Sequence, residues 1–326
     1  MPPRTATLIV NPQAGSLLDA DITPQDIADK IRDTGIEVEL LTGDPSQLAD
    51  FVEQALNAPA QLVIVAGGDG TVNAAARRMS GTDKTLGILP AGTLNHLSQD
   101  LGIPQDIDGA IAVLSDGEEV EIDIGEVNGN SFMCSSVIGF ASRLARQREH
   151  WRGRLNPLRW ARVIAHLFQT MDRDPAIEVT ISDPEKRTLR TRHLTVAVGD
   201  YVDEPGRLFV RTELDSGYLG LYALRSPSPG KLFKLAAAAM IGRWRTDPEL
   251  TSERVREASV TSDRKQVRVL NDGEILMLDL PVEYRIRHRA LRVVRAREAT
   301  RAATATPDND AAGKKDGPER HDTEAA

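Results

Sequence analysis

The chain has 326 residues, a formal net charge of -8, 40% hydrophobic residues and one cysteine. That length is enough for two domains. The acidic balance excludes general nucleic-acid affinity, which needs a basic face. Cys134 has no partner for an internal disulfide, as suits a reducing cytoplasm. The longest strongly apolar segment, residues 235–242, falls far short of the roughly 20 residues of a membrane span. Pro2-Pro3-Arg4 leads straight towards the first apolar run, so no signal peptide is expected.

In chain order, residues 6–10 are an apolar run that enters Asn11-Pro12-Gln13-Ala14-Gly15-Ser16. A helical pattern follows through Ile27 and Ile31 and ends at Gly35. Residues 36–43 alternate as a half-buried strand, and 46–56 read as a helix. Residues 62–66 are a buried strand that stops at Gly67-Gly68-Asp69-Gly70-Thr71-Val72-Asn73, and a helix is expected over 72–79. Residues 85–90 repeat the design and close on Ala91-Gly92-Thr93-Leu94-Asn95-His96. Strands alternating with helices over about a hundred residues predict a parallel sheet covered on both faces. The loops at the C-terminal ends of its strands then line one crevice, where such sheets bind ligands.

The glycine loop is the most informative stretch. Glycines let the backbone approach a ligand without a Cβ in the way, and a helix start adds unpaired N–H groups and the positive end of a dipole, which favour an anion. Neither a P-loop nor a Rossmann fingerprint is present. An acid beside a phosphate implies an intervening cation or proton, so Asp69 points to a metal, to a hydroxyl to be deprotonated, or to both. Taken alone, Gly-Gly-Asp-Gly is equally readable as a turn.

The second half has another texture. Short alternating runs at 122–127, 132–137, 177–182, 191–198, 219–224, 256–261, 267–270, 275–280 and 282–287, with turn punctuation such as Asn128-Gly129, predict an antiparallel β domain. Residues 143–171 read as helical with a break near 153–157. Asn271-Asp272-Gly273-Glu274 is a strong turn signal between apolar runs and also carries acids; the two readings are compatible. Residues 297–326 lack periodicity and read as a disordered tail.

Asn-Pro-x-x-Gly at 11–15, Gly-Gly-Asp-Gly-Thr-Val-Asn at 67–73 and Pro-Ala-Gly-Thr-Leu-Asn at 90–95, in that order, resemble the diacylglycerol kinase catalytic family, which includes bacterial lipid kinases and sphingosine kinases. The resemblance implies an α/β nucleotide-binding domain over 1–121, related in layout to NAD kinase. It also implies a β-sandwich lipid-substrate domain over 122–296, whose last strand returns to the first domain. It implies ATP and Mg²⁺ as cofactors. Gly67, Gly68, Asp69, Gly70, Thr71, Val72 and Asn73 would cradle ATP phosphates, Thr42, Gly92 and Thr93 would line the nucleotide site, and Asn11 would sit at its edge.

By the same resemblance Glu274 would be the general base, with Asp272 beside it, because a substrate hydroxyl attacks the γ-phosphoryl group better with a carboxylate in reach. Asp69 would either hold Mg²⁺ through water or help activate the hydroxyl. The chain departs from the family pattern at His96-Leu97-Ser98-Gln99; His96, beside Asn95, would shape the acceptor pocket or serve only the helix start. It also departs at Asp215-Ser216-Gly217, where some bacterial members place an Asp directly before the Gly to bind a structural Mg²⁺; here that role could fall only on Asp215.

The expected activity is ATP-dependent phosphorylation of a lipid hydroxyl, diacylglycerol first among the acceptors. The alternatives are an NAD-kinase-like enzyme and a non-catalytic nucleotide-binding protein at the membrane. Basic residues mixed with tryptophan at 143–168, together with Lys231, Lys234, Arg243, Trp244 and Arg245 around an apolar run, suit peripheral docking on an anionic membrane from the cytoplasm; a solvated helix face is the competing reading. A free edge of the β domain would allow a homodimer, though no residue identifies one.

Overall fold

The computed structural model describes residues 4–140, 175–182, 186–202, 210–225 and 228–297. The expected helical region 143–171, with its arginines and tryptophans, and the tail beyond 297 lie outside the described residues.

The N-terminal part is an α/β domain whose sheet is mainly parallel. Strands β1 (Arg4–Val10), β2 (Ile36–Thr42), β3 (Leu62–Gly67) and β4 (Thr85–Pro90) lie side by side in the order β2-β1-β3-β4, all parallel. Every residue of β3 and β4 is buried, as continuous apolar runs are when both faces of a parallel strand are covered. Helices α1 (Gly15–Asp19), α2 (Pro24–Asp33), α3 (Leu48–Asn57), α4 (Asp69–Met79), α5 (His96–Asp100) and α6 (Ile107–Asp116) connect and cover them. α2 starts where its sequence prescribes: Pro24 occupies the first turn, and Thr23 and Asp26 form a reciprocal capping box.

The C-terminal part is antiparallel. A first group comprises β5 (Glu118–Val127), β6 (Asn130–Phe132), β8 (Ile177–Ile181), β9 (Arg187–Thr191), β13 (Glu257–Thr261) and β16 (Val282–Arg295), which extend the parallel sheet. The second sheet contains β7 (Ser135–Ile138), β10 (His193–Val198), β11 (Leu219–Leu224), β12 (Leu250–Val255), β14 (Gln266–Asn271) and β15 (Glu274–Asp279), in the order β12-β11-β10-β7-β14-β15. The inner faces of the two groups share a core that includes Val127, Phe132, Val179, Leu194, Leu221, Val269 and Tyr284. One further helix, α7 (Pro229–Met240), lies between β11 and β12 in the chain.

β16 joins the two halves. Its first residues pair with β13, Arg292 and Val293 pair in parallel with β4, and β5 runs antiparallel along most of its other edge. Val282 and Tyr284 therefore belong to the second core, and Leu291 and Val293 to the first.

Three sequence expectations are corrected here. The run 132–137 is split: Phe132 ends β6 in one sheet, and Ser135 to Val137 belong to β7 in the other. The run 191–198 is not one strand: it turns at Arg192, so β9 lies in one sheet and β10 in the other. The last strand does not end at 287 but continues to Arg295 past a register shift between Arg287 and Leu291, where Arg289 has φ +49°.

Candidate functional site

Three loops at the C-terminal ends of β1, β3 and β4 converge. The Asn11 amide donates to Thr71 Oγ1 at 3.1 Å, and Thr42 Oγ1 donates to the Val10 carbonyl at 3.2 Å. Ala91 N–H donates to the Gly67 carbonyl, and Ser16 N–H to that of Ala91. Gly68 and Gly92 meet so closely that a Cβ on Gly92 would lie 2.6 Å from Gly68 Cα, so Gly92 tolerates no side chain, and a Cβ on Gly68 would sit a tight 3.2 Å from Gly92 Cα.

α4 starts at Asp69, capped by Gly68 with no side chain over its end. The first-turn amides of Asp69, Gly70 and Thr71 have no intrahelical acceptor, and no other group among the described residues accepts from them. Gly70 faces open space, and a Cβ there would meet nothing within 4 Å. Val72 and Asn73 are buried on the inner side of the helix, and Asn73 Oδ1 has no hydrogen-bond partner. A hollow lined by Val10, Asn11, Gly43, Pro45, Phe51 and Thr71 lies beside the loops. The arrangement offers free N–H groups to an anion.

Asp69 is already engaged. Its Oδ2 accepts from Asn95 N–H at 2.8 Å and its Oδ1 from His96 N–H at 2.7 Å. Asn95 has φ +50°, accepts from Gly92 N–H at 2.9 Å and donates back to the Gly92 carbonyl at 2.9 Å. The carboxylate thus clamps the glycine loop to the start of α5. Thr93 and the His96 ring are exposed at the rim.

The second acidic centre comes from the β14–β15 hairpin. Asn271 and Glu274 are a cross-strand pair, and the two residues between them, Asp272 at φ +48° and Gly273 at φ +89°, form the kind of two-residue turn expected. Asp272 is also a buried acceptor, taking N–H donors from Met133 at 2.6 Å, Cys134 at 2.9 Å and Ser135 at 3.0 Å. Burial pushes its carboxyl above the ordinary value, against the pull of those N–H groups and of Arg77. Glu274 is half-exposed and takes Arg77 Nη1 on its Oε2 at 2.6 Å, leaving Oε1 open.

Sequence reasoning missed Arg77, which links this hairpin to α4, the helix that the glycine loop begins. Arg77 Nη2 lies 4.0 Å from Asp272 and, like Nε, is buried without a hydrogen bond. It also missed Arg211 and Asp100. Arg211 is 1% exposed and donates from Nε and Nη2 to Asp100 Oδ2 at 3.0 and 2.5 Å, and from Nη1 to the Met133 and Val198 carbonyls. Burial opposes its charge and Asp100 more than compensates, so the guanidinium sits above its ordinary value. Asp100 ends α5, so a continuous path of bonds runs from Asp69 through α5, Arg211 and Met133 to Asp272. No spacing in the sequence signals these partners.

Asp215 does not meet other metal ligands. Its carboxylate faces the Arg289 guanidinium at 3.4 Å. The buried Asp123 organises the neighbouring loop, accepting from Gly217 N–H at 2.6 Å and Arg289 N–H at 2.8 Å and contacting His288 Nδ1 at 2.8 Å. Among the described residues no group of three or more His, Cys, Asp or Glu side chains could hold a metal. Asp215 thus stands beside an arginine, and among the described residues no further His, Cys, Asp or Glu groups with it as a metal-ligand set.

Residues 5–127 match the model of the diacylglycerol kinase catalytic domain. The chain is 36% identical over 118 residues to a Klebsiella pneumoniae protein named "Probable lipid kinase YegS-like", covering 35% of this chain and 40% of that one. It is 24% identical over 270 residues to a diacylglycerol kinase of Staphylococcus epidermidis, covering 79% and 82% of the two chains. The YegS-like matches thus span about 40% of the length of those relatives. The fold resembles a crystal structure of a diacylglycerol kinase from Bacillus anthracis with a TM-score of 0.66 at 18% identity, covering 92% of this chain and 99% of that one.

Proposed function

We propose that this chain, whose residues 5–127 match the model of the diacylglycerol kinase catalytic domain, is an ATP-dependent lipid kinase that transfers the γ-phosphoryl group to the hydroxyl of diacylglycerol. The observation that carries the reading is the meeting of two parts: free N–H groups at the start of α4, and Glu274 brought onto the same helix through Arg77.

In this reading the amides of Asp69, Gly70 and Thr71 bind phosphate oxygens, with Asn11, Thr42 and Thr93 at the edge of the nucleotide site. Asp69 keeps the Gly68–Gly92 approach in place. Glu274 accepts the hydroxyl proton on its open Oε1 while the substrate oxygen attacks the γ-phosphorus and ADP leaves. Arg77 holds the carboxylate in position, and Asp272 fixes the hairpin. Mg²⁺, when bound, would neutralise phosphate charge; the donor set fits an ion that arrives on the nucleotide and keeps most of its waters, with Asp69 as the nearby acid.

A lipid acceptor requires contact with a bilayer. Among the described residues no helix is long and apolar enough to cross one. α7 supports docking on a membrane surface: Phe233 is 78% exposed and Met240 58%, with Ile241 beyond its end at 62%, while Lys231 and Lys234 among them pair with Glu249 and Asp247. The test is transfer of labelled γ-phosphate from ATP with Mg²⁺ to a panel of lipids in mixed micelles, with NAD as soluble control. Label in diacylglycerol supports the reading; label in NAD alone, or ATP binding with no transfer to any lipid, refutes it.

A further inference from the structure

The β-sandwich has an open mouth far from the reacting groups. A cavity of about 340 Å³ lies between β8–β9 of one sheet and β11–β12 of the other. Its floor is apolar, formed by Ile181, Leu189 and Ala223 at the end of the shared core. Its rim is cationic. Arg187 reaches across from β9 to β12 and makes a bidentate pair with Glu253 at 3.2 and 3.1 Å, which uses up the only acid among the described residues lining the cavity.

Arg190 and Arg225, which also line it, have no hydrogen bond or ion pair from their guanidinium groups among the described residues. Glu178 is the cross-strand neighbour of Arg190 yet forms no ion pair with it, and Glu249, whose carbonyl accepts from Arg225 N–H, gives its carboxylate to Lys231 at 2.9 Å. Among the described residues the cleft therefore holds two guanidinium charges with no acid paired to them, over an apolar floor. Planar guanidinium groups pair with phosphate oxygens bidentately, and a volume above roughly 300 Å³ is that of a small-molecule site.

The cleft is separate from the nucleotide crevice. β12 stands four strand positions from β14, about 19 Å across the sheet. It is instead linked through Glu249 to α7, the helix that carries the exposed Phe233.

We propose that this cleft binds the phosphate group of an anionic phospholipid in the membrane on which the protein works. The inference rests on the membrane-docking part of the function above. Arg190 and Arg225 take the phosphate, the apolar floor takes the adjoining glycerol and first methylenes, and the α7 face enters the surface alongside.

The experiment uses the full chain, wild type and Arg190→Gln/Arg225→Gln, in sedimentation with phosphatidylcholine vesicles with and without phosphatidylglycerol. Circular dichroism and thermal melting confirm that the variant folds. The wild type should sediment with the anionic vesicles and the variant should bind them about 30-fold more weakly. Transfer to a short-chain diacylglycerol in neutral detergent should be the same in both. Equal sedimentation of variant and wild type overturns the proposal. A soluble arm titrates inorganic phosphate and dihexanoyl phosphatidylglycerol: arginine-dependent binding of the lipid supports the proposal, whereas binding of inorganic phosphate alone assigns the cleft to a soluble anion and overturns it. Arginine-dependent vesicle binding in a protein that phosphorylates no lipid would uphold the cleft and remove the kinase reading, so the two fail separately.

Discussion

The glycine loop and the β14–β15 hairpin use the same device and leave different things free. In each, a carboxylate is saturated by backbone N–H groups: Asp69 by Asn95 and His96, and Asp272 by Met133, Cys134 and Ser135. Around Asp69 the groups left over are donors, the first amides of α4. Around Asp272 the group left over is an acceptor, one oxygen of Glu274. A phosphate donor and a hydroxyl nucleophile need those opposite leftovers, and the division teaches that neither motif acid has to touch substrate for its motif to matter. In the proposed reaction Asp69 and Asp272 position the groups that do.

The largest expected effect separates the two regions outright. Glu274→Gln keeps the shape and removes the proton acceptor, so kcat should fall by on the order of 100- to 10,000-fold with ATP affinity unchanged by equilibrium titration. A matching loss of ATP affinity would show that the hairpin belongs to the nucleotide site.

Cutting the path between the regions comes next. Arg211→Ala leaves Asp100 buried without its cation and should cost about 3–5 kcal/mol in chemical denaturation. The double change Arg211→Met with Asp100→Leu should be much milder, since no charge then stays buried.

His193 sharpens the contrast through pH. It is 8% exposed, its ring packs on Phe140, and burial depresses its pKa from 6.5 to about 4. The unfolded chain binds the proton more tightly, so stability is full above about pH 6.5 and is lost as pH falls toward 4, by up to about 3 kcal/mol. His193→Gln should flatten that part of the stability–pH curve. Hydrogen exchange at acid pH should loosen β10 and its neighbours before β3 and β4.

The smallest effect is expected at Arg77. Arg77→Met frees Glu274 to rotate, which should lower kcat by about tenfold while KM for ATP holds. A change in KM alone would place Arg77 with the nucleotide instead.

What could be read from sequence follows from how far apart the partners are. The crevice loops are local: each is an apolar run, a turn and a helix within a dozen residues, so the parallel sheet and its glycine loop were legible. The Asn271–Glu274 turn was legible for the same reason. α6 is legible in the same local terms, since Asp106 caps it and Ile107, Ala110, Ile111 and Leu114 keep helical spacing, though it is not among the elements expected above. β16 was cut short because His288-Arg289-Ala290 interrupts its alternation just where it leaves one core for the other. Arg77 and Glu274 are 197 positions apart and Asp100 and Arg211 are 111 apart, so no local pattern reveals either pair.

The most direct test of the account compares wild type and Glu274→Gln on the same diacylglycerol micelles, reading ATP binding and γ-phosphate transfer in one preparation. The account predicts equal ATP binding and transfer by the wild type alone. Transfer that survives in the variant at the wild-type rate would contradict it, because the acceptor hydroxyl would then be activated somewhere other than at the hairpin.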